Sequence, residues 1–161
     1  MFIVKKIVVT LCLLGALAVV AVGQAPPAQM NASMTGATQD KKSLYQRLGG
    51  YDAIAAVVDD FIGRLVTDKR FEKFFVGHSE DSQKRIRQHI LDQFCAATGG
   101  PCIYTGRDMK TTHHGLGITD ADWDAAAKHL VASLDKFKVP EKEKGEVLAF
   151  VTSLKKDIAE K

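Results

Sequence analysis

A single helical turn shut off by glycines leaves this chain the least freedom: Met109-Lys110-Thr111-Thr112-His113-His114-Gly115-Leu116-Gly117-Ile118. Met109 and His113 stand four residues apart, so on a helix they share one face. Gly115 and Gly117 accept positive φ at little cost. They therefore stop the helix just past the histidine and let Leu116 and Ile118 fold back beside it. An imidazole one turn from a thioether faces apolar surroundings. By residue pattern alone it has two readings: a core histidine hydrogen-bonded to a carbonyl, which is the commoner case, or a metal ligand.

The rest of the chain is helix punctuated by the same kind of stop. Ser43-Leu44-Tyr45-Gln46 has the spacing of a capping box and opens a short helix that Gly49-Gly50 ends. From about Asp52 to Thr67, the residues Ile54, Val57, Val58, Phe61, Ile62, Leu65 and Val66 recur at helical spacing. Phe71, Phe74 and Phe75 crowd a segment too brief for a long helix, which Gly77 closes. Ser79 or Ser82 caps the next helix, which runs to about Thr98 with Ile86, Ile90 and Phe94 on one face and His89 and Gln93 alongside. After the His113 turn, Thr119-Asp120 cap a helix from about Ala121 to Phe137 that turns Trp123, Ala127, Leu130, Val131 and Leu134 inward. A last helix is expected from about Glu141 to Glu160. No stretch alternates apolar and polar with period two, so the fold class is all-α.

One domain is all that 161 residues need. Lys5-Lys6 followed by the uncharged run Ile7 to Val22, with small residues at Ala21 and Gly23, reads as a secretory leader cleaved before Gln24. The run is shorter than the ~20 apolar residues of a usual spanning helix. The expectation is a signal peptide over 1–23, a flexible Pro-, Ala- and Ser-bearing linker over 24–42, and one domain over 43–161, exported to the periplasm. The alternative is a chain held at the membrane by an uncleaved leader. The net charge is +3, and cleavage removes Lys5 and Lys6, leaving +1. So weak a balance argues against nucleic acid or an anionic membrane surface as partner. Of three cysteines, Cys12 leaves with the leader. Cys95 and Cys102 meet oxidising conditions with a helix stop and a turn between them, and either a disulfide or two buried thiols satisfies the sequence. There is no Cys-x-x-Cys-His for covalent c-type haem, and no nucleophile elbow, phosphate loop or zinc spacing.

The run ending His113-His114-Gly115-Leu116-Gly117-Ile118 resembles the proximal segment of the truncated haemoglobins, in particular their first group. The resemblance extends from about Ser43 to Ile158. Leu44-Tyr45-Gln46-Arg47-Leu48-Gly49-Gly50 is similar to that family's opening, Phe74-Phe75-Val76-Gly77 to its inter-helix corner, and Thr98-Gly99-Gly100-Pro101 to its second glycine segment. It implies a two-over-two helical sandwich and a b-type haem (iron protoporphyrin IX). His113 falls on the position of the proximal iron ligand. Phe61, Phe75, Ile86, Ile90, Met109, Leu116, Ile118 and Trp123 fall on positions lining the haem slot, with Tyr104 near its edge. Lys84, Arg87, Arg107 and Lys110 are candidates for the propionates.

The distal side departs from the family. Most members carry a tyrosine where this chain has Ile62, so the usual phenol donor is missing. The helix of Ser79 to Thr98 is aligned through Gly99-Gly100, because the corner before it is a few residues longer than in the best-known members. Ile86 and Ile90 then occupy places where glutamine is common. His89 remains as the polar candidate, with Gln93 beside it. A histidine at the position of His89 serves some members as sixth iron ligand. The resemblance implies reversible binding of O₂, with NO or another diatomic as further ligand, at a five-coordinate or His-hexacoordinate iron. The alternative is a haem-dependent redox enzyme, an NO dioxygenase or peroxidase-like protein. That would need an external reductant, because the chain holds no flavin or nicotinamide segment. A third reading is a helical module without haem, in which His113 only packs.

Overall fold

The computed structural model describes residues 42–160, so the expected leader and most of the expected linker lie outside the described residues. Eight helical segments follow one another: α1 (Leu44–Arg47), α2 (Gly50–Thr67), α3 (Glu72–Phe75), α4 (Glu80–Ala97), α5 (Met109–His113), α6 (Asp120–Lys136), α7 (Glu141–Ser153) and α8 (Lys155–Ile158). There is no strand among the described residues. The architecture is the all-helical two-over-two sandwich.

Local chemistry sets the helix starts. Ser43 and Gln46 complete a capping box on α1, Ser79 caps α4, and Thr119 with Asp122 forms a second capping box on α6. In each case a side-chain oxygen takes one of the N–H groups that the first turn leaves free. The expected last helix is two. Ser153 Oγ donates to the Phe150 carbonyl at 2.6 Å, and Leu154 N–H bonds the Val151 carbonyl at 3.0 Å. A hydroxyl competing for a helical carbonyl, together with a bond that is one residue too tight, breaks the run at Leu154. The residues from Lys155 onward form a separate segment, α8, that packs against α5.

Helix α2 lies at the centre, packed against both α4 and α6. One core joins α2 to α4 through Ile54, Val58 and the fully buried Leu91, with Leu48, Ile62, Ile90 and Phe94 against it. The other joins α6 to α7 through Leu130, Leu134 and Val147, with Val57, Phe61 and Phe94 closing on it. Phe94 belongs to both and meets Phe150 edge-on at 5.9 Å. A small apolar cavity of about 30 Å³ remains between the two cores. That is room for one water-sized body, not for a macrocycle.

Polar ties, most of them part-buried, cross between the helices. Asp60 on α2 accepts from Ser133 Oγ of α6 at 2.8 Å, from Arg64 at 2.7 Å and from Lys136. Arg47 of α1 reaches Glu143 and Glu146 of α7. His129 bonds Asp68 at 2.9 Å and sets its ring against Phe71.

Cys95 and Cys102 are bonded to each other, with Cα atoms 5.7 Å apart. The bridge joins the last turn of α4 to the loop leading to Tyr104. Gly100 is required in that corner: a Cβ there would lie 2.5 Å from the Tyr45 ring and 2.7 Å from Cys95 Sγ. Tyr45 N–H also donates to the Thr98 carbonyl at 2.8 Å, fastening α1 to the same corner.

Candidate functional site

The segment from Thr98 to Thr119 contains only the five residues of α5 in helical form. Asp108 starts that turn: its carboxylate accepts from Thr111 N–H at 2.9 Å and from Thr111 Oγ1 at 2.7 Å. The same two bonds, the hydroxyl first, hold the Asp108 carboxyl below the usual aspartate range. Asp108 went unread as a cap in the sequence, although an Asp at a helix start is a capping signal.

His113, half-buried at the end of α5, has Nδ1 2.8 Å from the Met109 carbonyl. A carbonyl oxygen only accepts, so Nδ1 carries the proton and Nε2 keeps its lone pair. The Met109–His113 spacing thus does two things. It shares a face, and its backbone oxygen fixes the tautomer in which an imidazole binds a metal. Gly115 and Gly117 take φ of +79° and +64°, the left-handed stop expected of them.

His89 stands half-buried on α4. Its Nδ1 is buried and without a hydrogen-bond partner. An orphaned buried nitrogen costs about 1–3 kcal/mol, so it marks a place where a partner is to be expected. The ring meets Tyr104 edge-on, with centroids 6.1 Å apart. Tyr104 donates its hydroxyl to the Arg107 carbonyl at 2.6 Å, and burial pushes its phenol above the ordinary range.

The other sequence-chosen residues divide into two sets, with Leu116 apart from both. Phe61, Ile62 and Ile90 pack against the two buried cores. Ile62 also lines a groove of about 400 Å³ between α2 and α4, together with Asp59, Glu80, Gln83, Lys84 and Arg87. Phe75, Ile86, Met109, Ile118 and Trp123 are half-buried and belong to neither core. Leu116, expected to fold back beside His113, donates its N–H to the His113 carbonyl at 3.2 Å and is 45% exposed.

The four candidate cations separate in the same way. Arg87 is committed to both oxygens of Asp59, and Lys84 lies 3.9 Å from Asp81. Arg107 and Lys110 make no ion pair among the described residues. Glu160, to which sequence reading gave no role, accepts from Gly115 N–H at 2.6 Å. No local pattern foretells a contact between residues so far apart in the chain.

These features fit a haem. There is one imidazole with a free Nε2, a second with an unpartnered buried nitrogen, and half-buried apolar side chains outside both cores. A helical sandwich so furnished defines a protein of the globin class. The comparison with known proteins makes it specific: residues 43–160 match the bacterial-like globin family, and the chain belongs to it. Among its relatives, the group 1 truncated hemoglobin of Mycolicibacterium paratuberculosis is 36% identical over 117 residues, 73% of this chain and 84% of the relative. The crystal structure of the Fe(III) truncated hemoglobin of Tetrahymena pyriformis superposes with a TM-score of 0.67 at 27% identity, covering 74% of this chain and all of that one. The 2/2 hemoglobin of a Synechococcus species, in its cyanomet state and with covalently attached heme, gives 0.66 at 32% identity over 73% of this chain and 98% of the other. The chain is a haem-binding globin.

Proposed function

We propose that this globin holds a b-type haem through His113 Nε2 and binds O₂ reversibly, with NO as a further ligand, in an exported domain. The observation that carries the reading is the bond from His113 Nδ1–H to the Met109 carbonyl at 2.8 Å, which leaves Nε2 available. Haem iron, when bound, supplies the metal centre for a diatomic ligand. The chain's own residues do the rest. Met109 orients the His113 ring through its carbonyl. Phe75, Ile86, Ile118 and Trp123 exclude water from the slot. Arg107 and Lys110 pair with the propionates, since Asp59 already holds Arg87.

On the distal side Ile62 offers no proton, and of the polar candidates His89 and Gln93, His89 is the one with a buried nitrogen that lacks a partner. It acts either as a sixth ligand or as a hydrogen-bond donor to the diatomic ligand. Loss of that donor speeds O₂ release about tenfold, the worth of one hydrogen bond.

Absorption spectra of the mature domain supplied with haem, ferric and then dithionite-reduced, test the whole reading. A Soret band that disappears in His113→Ala supports it, and no haem uptake refutes it. His89→Leu separates the distal roles. Sharp split visible bands in the reduced wild type that vanish in the variant make His89 a ligand. Unchanged bands with faster O₂ release make it a donor, and no change in either removes it from the site. Export is tested by N-terminal sequencing of the protein from its natural host: a start at Gln24 in the periplasmic fraction supports it, and an uncleaved cytosolic chain refutes it.

A further inference from the structure

The turn that carries His113 is too short to hold itself. A helix of five residues has almost no stability alone, because nucleation costs more than one turn of bonds returns. Asp108 secures its start. At its far end the chain leaves α5 through two left-handed glycines, and the local bonds there are only His114 N–H to Lys110 O at 3.0 Å and Leu116 N–H to His113 O at 3.2 Å.

A distant residue completes the hold. Glu160 Oε1 accepts from Gly115 N–H at 2.6 Å, and Glu160 N–H donates to the Ile118 carbonyl at 2.7 Å. One residue thus bridges both sides of the turn, with its side chain on one and its backbone on the other. The break at Leu154 makes this reach possible, because it releases α8 from the axis of α7. Lys155, the first residue of α8, pairs with Asp120 at 2.9 Å and Asp124 at 3.7 Å near the start of α6. The segment is fastened at its start to α6 and at its end to the loop between α5 and α6. His114 Nδ1 lies 4.0 Å from the same Glu160 oxygen, but its side chain is 86% exposed, and water screens that pair.

We propose that Glu160 is a positioning residue for the haem ligand: by holding Gly115 and Ile118 it fixes the end of α5, and with it the direction of His113 Nε2. This rests on the haem reading above. It assigns to the segment after the Leu154 break the work of keeping the proximal imidazole in one orientation. Without the Glu160 carboxylate the loop is free to shift and the iron–histidine bond samples a wider range of geometries.

Two variants of the haem-loaded chain test this. Glu160→Gln keeps a side-chain oxygen that can accept from Gly115, whereas Glu160→Ala does not. In Glu160→Ala, haem transfer to apomyoglobin is expected to quicken about tenfold, the effect of losing one charge-assisted hydrogen bond. The iron–histidine stretching band in the resonance Raman spectrum of the reduced protein should shift or broaden. The Gly115 amide, followed by NMR in the reduced protein under carbon monoxide, should exchange faster. Glu160→Gln should stay within about twofold of wild type in haem transfer, as one acceptor replaces another. If Glu160→Ala keeps the wild-type band and transfer rate, the proposal fails, even where the Gly115 amide loses protection. If wild type takes up no haem, or His113→Ala keeps the iron–histidine band, the reading of His113 itself has failed, and this proposal with it.

Discussion

Replacing Asp60 by asparagine removes one negative charge from the seam between α2 and α6, next to Phe61 and Ile62. The Asp60 side chain is 14% exposed, and its oxygens accept from Lys136, Arg64 and the fully buried Ser133 hydroxyl. The ammonium of Lys136 is the largest influence, then the guanidinium of Arg64, then Ser133. Together they hold the carboxyl well below the ordinary aspartate range. Lys136 and Arg64 are 56% and 34% exposed, so each contributes only the few tenths of a kcal/mol usual for a screened pair. The buried hydroxyl-to-carboxylate bond contributes about 1.5 kcal/mol. The sum is about 2 kcal/mol, roughly a thirtyfold change in the folding equilibrium.

The sign with pH comes from the depression. A carboxyl whose folded pKa lies below its unfolded one lends stability above the unfolded value of 3.8 and loses it as pH falls toward the folded one. Urea titrations of wild type and Asp60→Asn, followed by far-ultraviolet circular dichroism at equal haem excess, should differ by a constant amount from pH 7 to 5. The gap should begin to narrow below the unfolded value of 3.8, as the unfolded chain takes up a proton that the folded carboxyl still resists. Asp68, Asp108 and Asp122 are also depressed, but they are common to both proteins and cancel in the difference. A gap under about 0.5 kcal/mol at pH 7, or one that stays constant down to pH 3, would falsify the reasoning.

The corner after α4 gives two further outcomes. The Cys95–Cys102 bond closes a loop of sequence separation 7, for which chain entropy gives a stabilisation of about 2 kcal/mol. A dithiol should lower the urea midpoint accordingly, and thiols that alkylate in the native, unreduced protein would contradict the bond. Gly100→Ala forces a methyl to within 2.8 Å of the Cys95 carbonyl as well as onto Tyr45, so it should cost about 1–3 kcal/mol by thermal melting. Gly63→Ala, inside α2 with nothing within 4 Å of the added carbon, should instead raise stability by about 0.5–1 kcal/mol. Equal effects from the two would show that backbone propensity, not crowding, governs the corner.

The parts legible in the sequence were those set by neighbours close in the chain. The stripe from Ile54 to Val66, the capping box at Ser43, the cap at Thr119 and the glycine stops are patterns of three or four residues, and the structure repeats them, save that Val66 is 48% exposed. The His113 tautomer was half legible: the i, i+4 spacing was visible, whereas the Met109 carbonyl as acceptor needed coordinates. The break at Leu154 was missed because Val147, Leu148, Val151, Leu154 and Ile158 keep helical spacing straight through it. Hydrophobic period does not register a serine hydroxyl competing for a carbonyl. The pairings Asp59 with Arg87 and Gly115 with Glu160 span 28 and 45 residues, and no single sequence encodes such distances locally.

This division bears on how the site is built. The cores that fix the fold sit on α2, α4, α6 and α7, while His113, Tyr104 and Met109 sit on a stretch with one turn of helix and no buried apolar residue. Order there comes from individual links instead: the disulfide at Cys102, the hydroxyl of Tyr104 on Arg107, the Asp108 cap and the two bonds of Glu160. Links of this kind open separately, each at a free energy well below that of global unfolding. Loss of Leu91 from the α2–α4 core should therefore lower the protection of amides throughout the helices together. Loss of Asp108 or Glu160 should deprotect the Met109 to Ile118 amides alone and leave the helices of the sandwich as they were. The turn that carries His113 can thus be loosened or tightened without altering the stability of the fold around it.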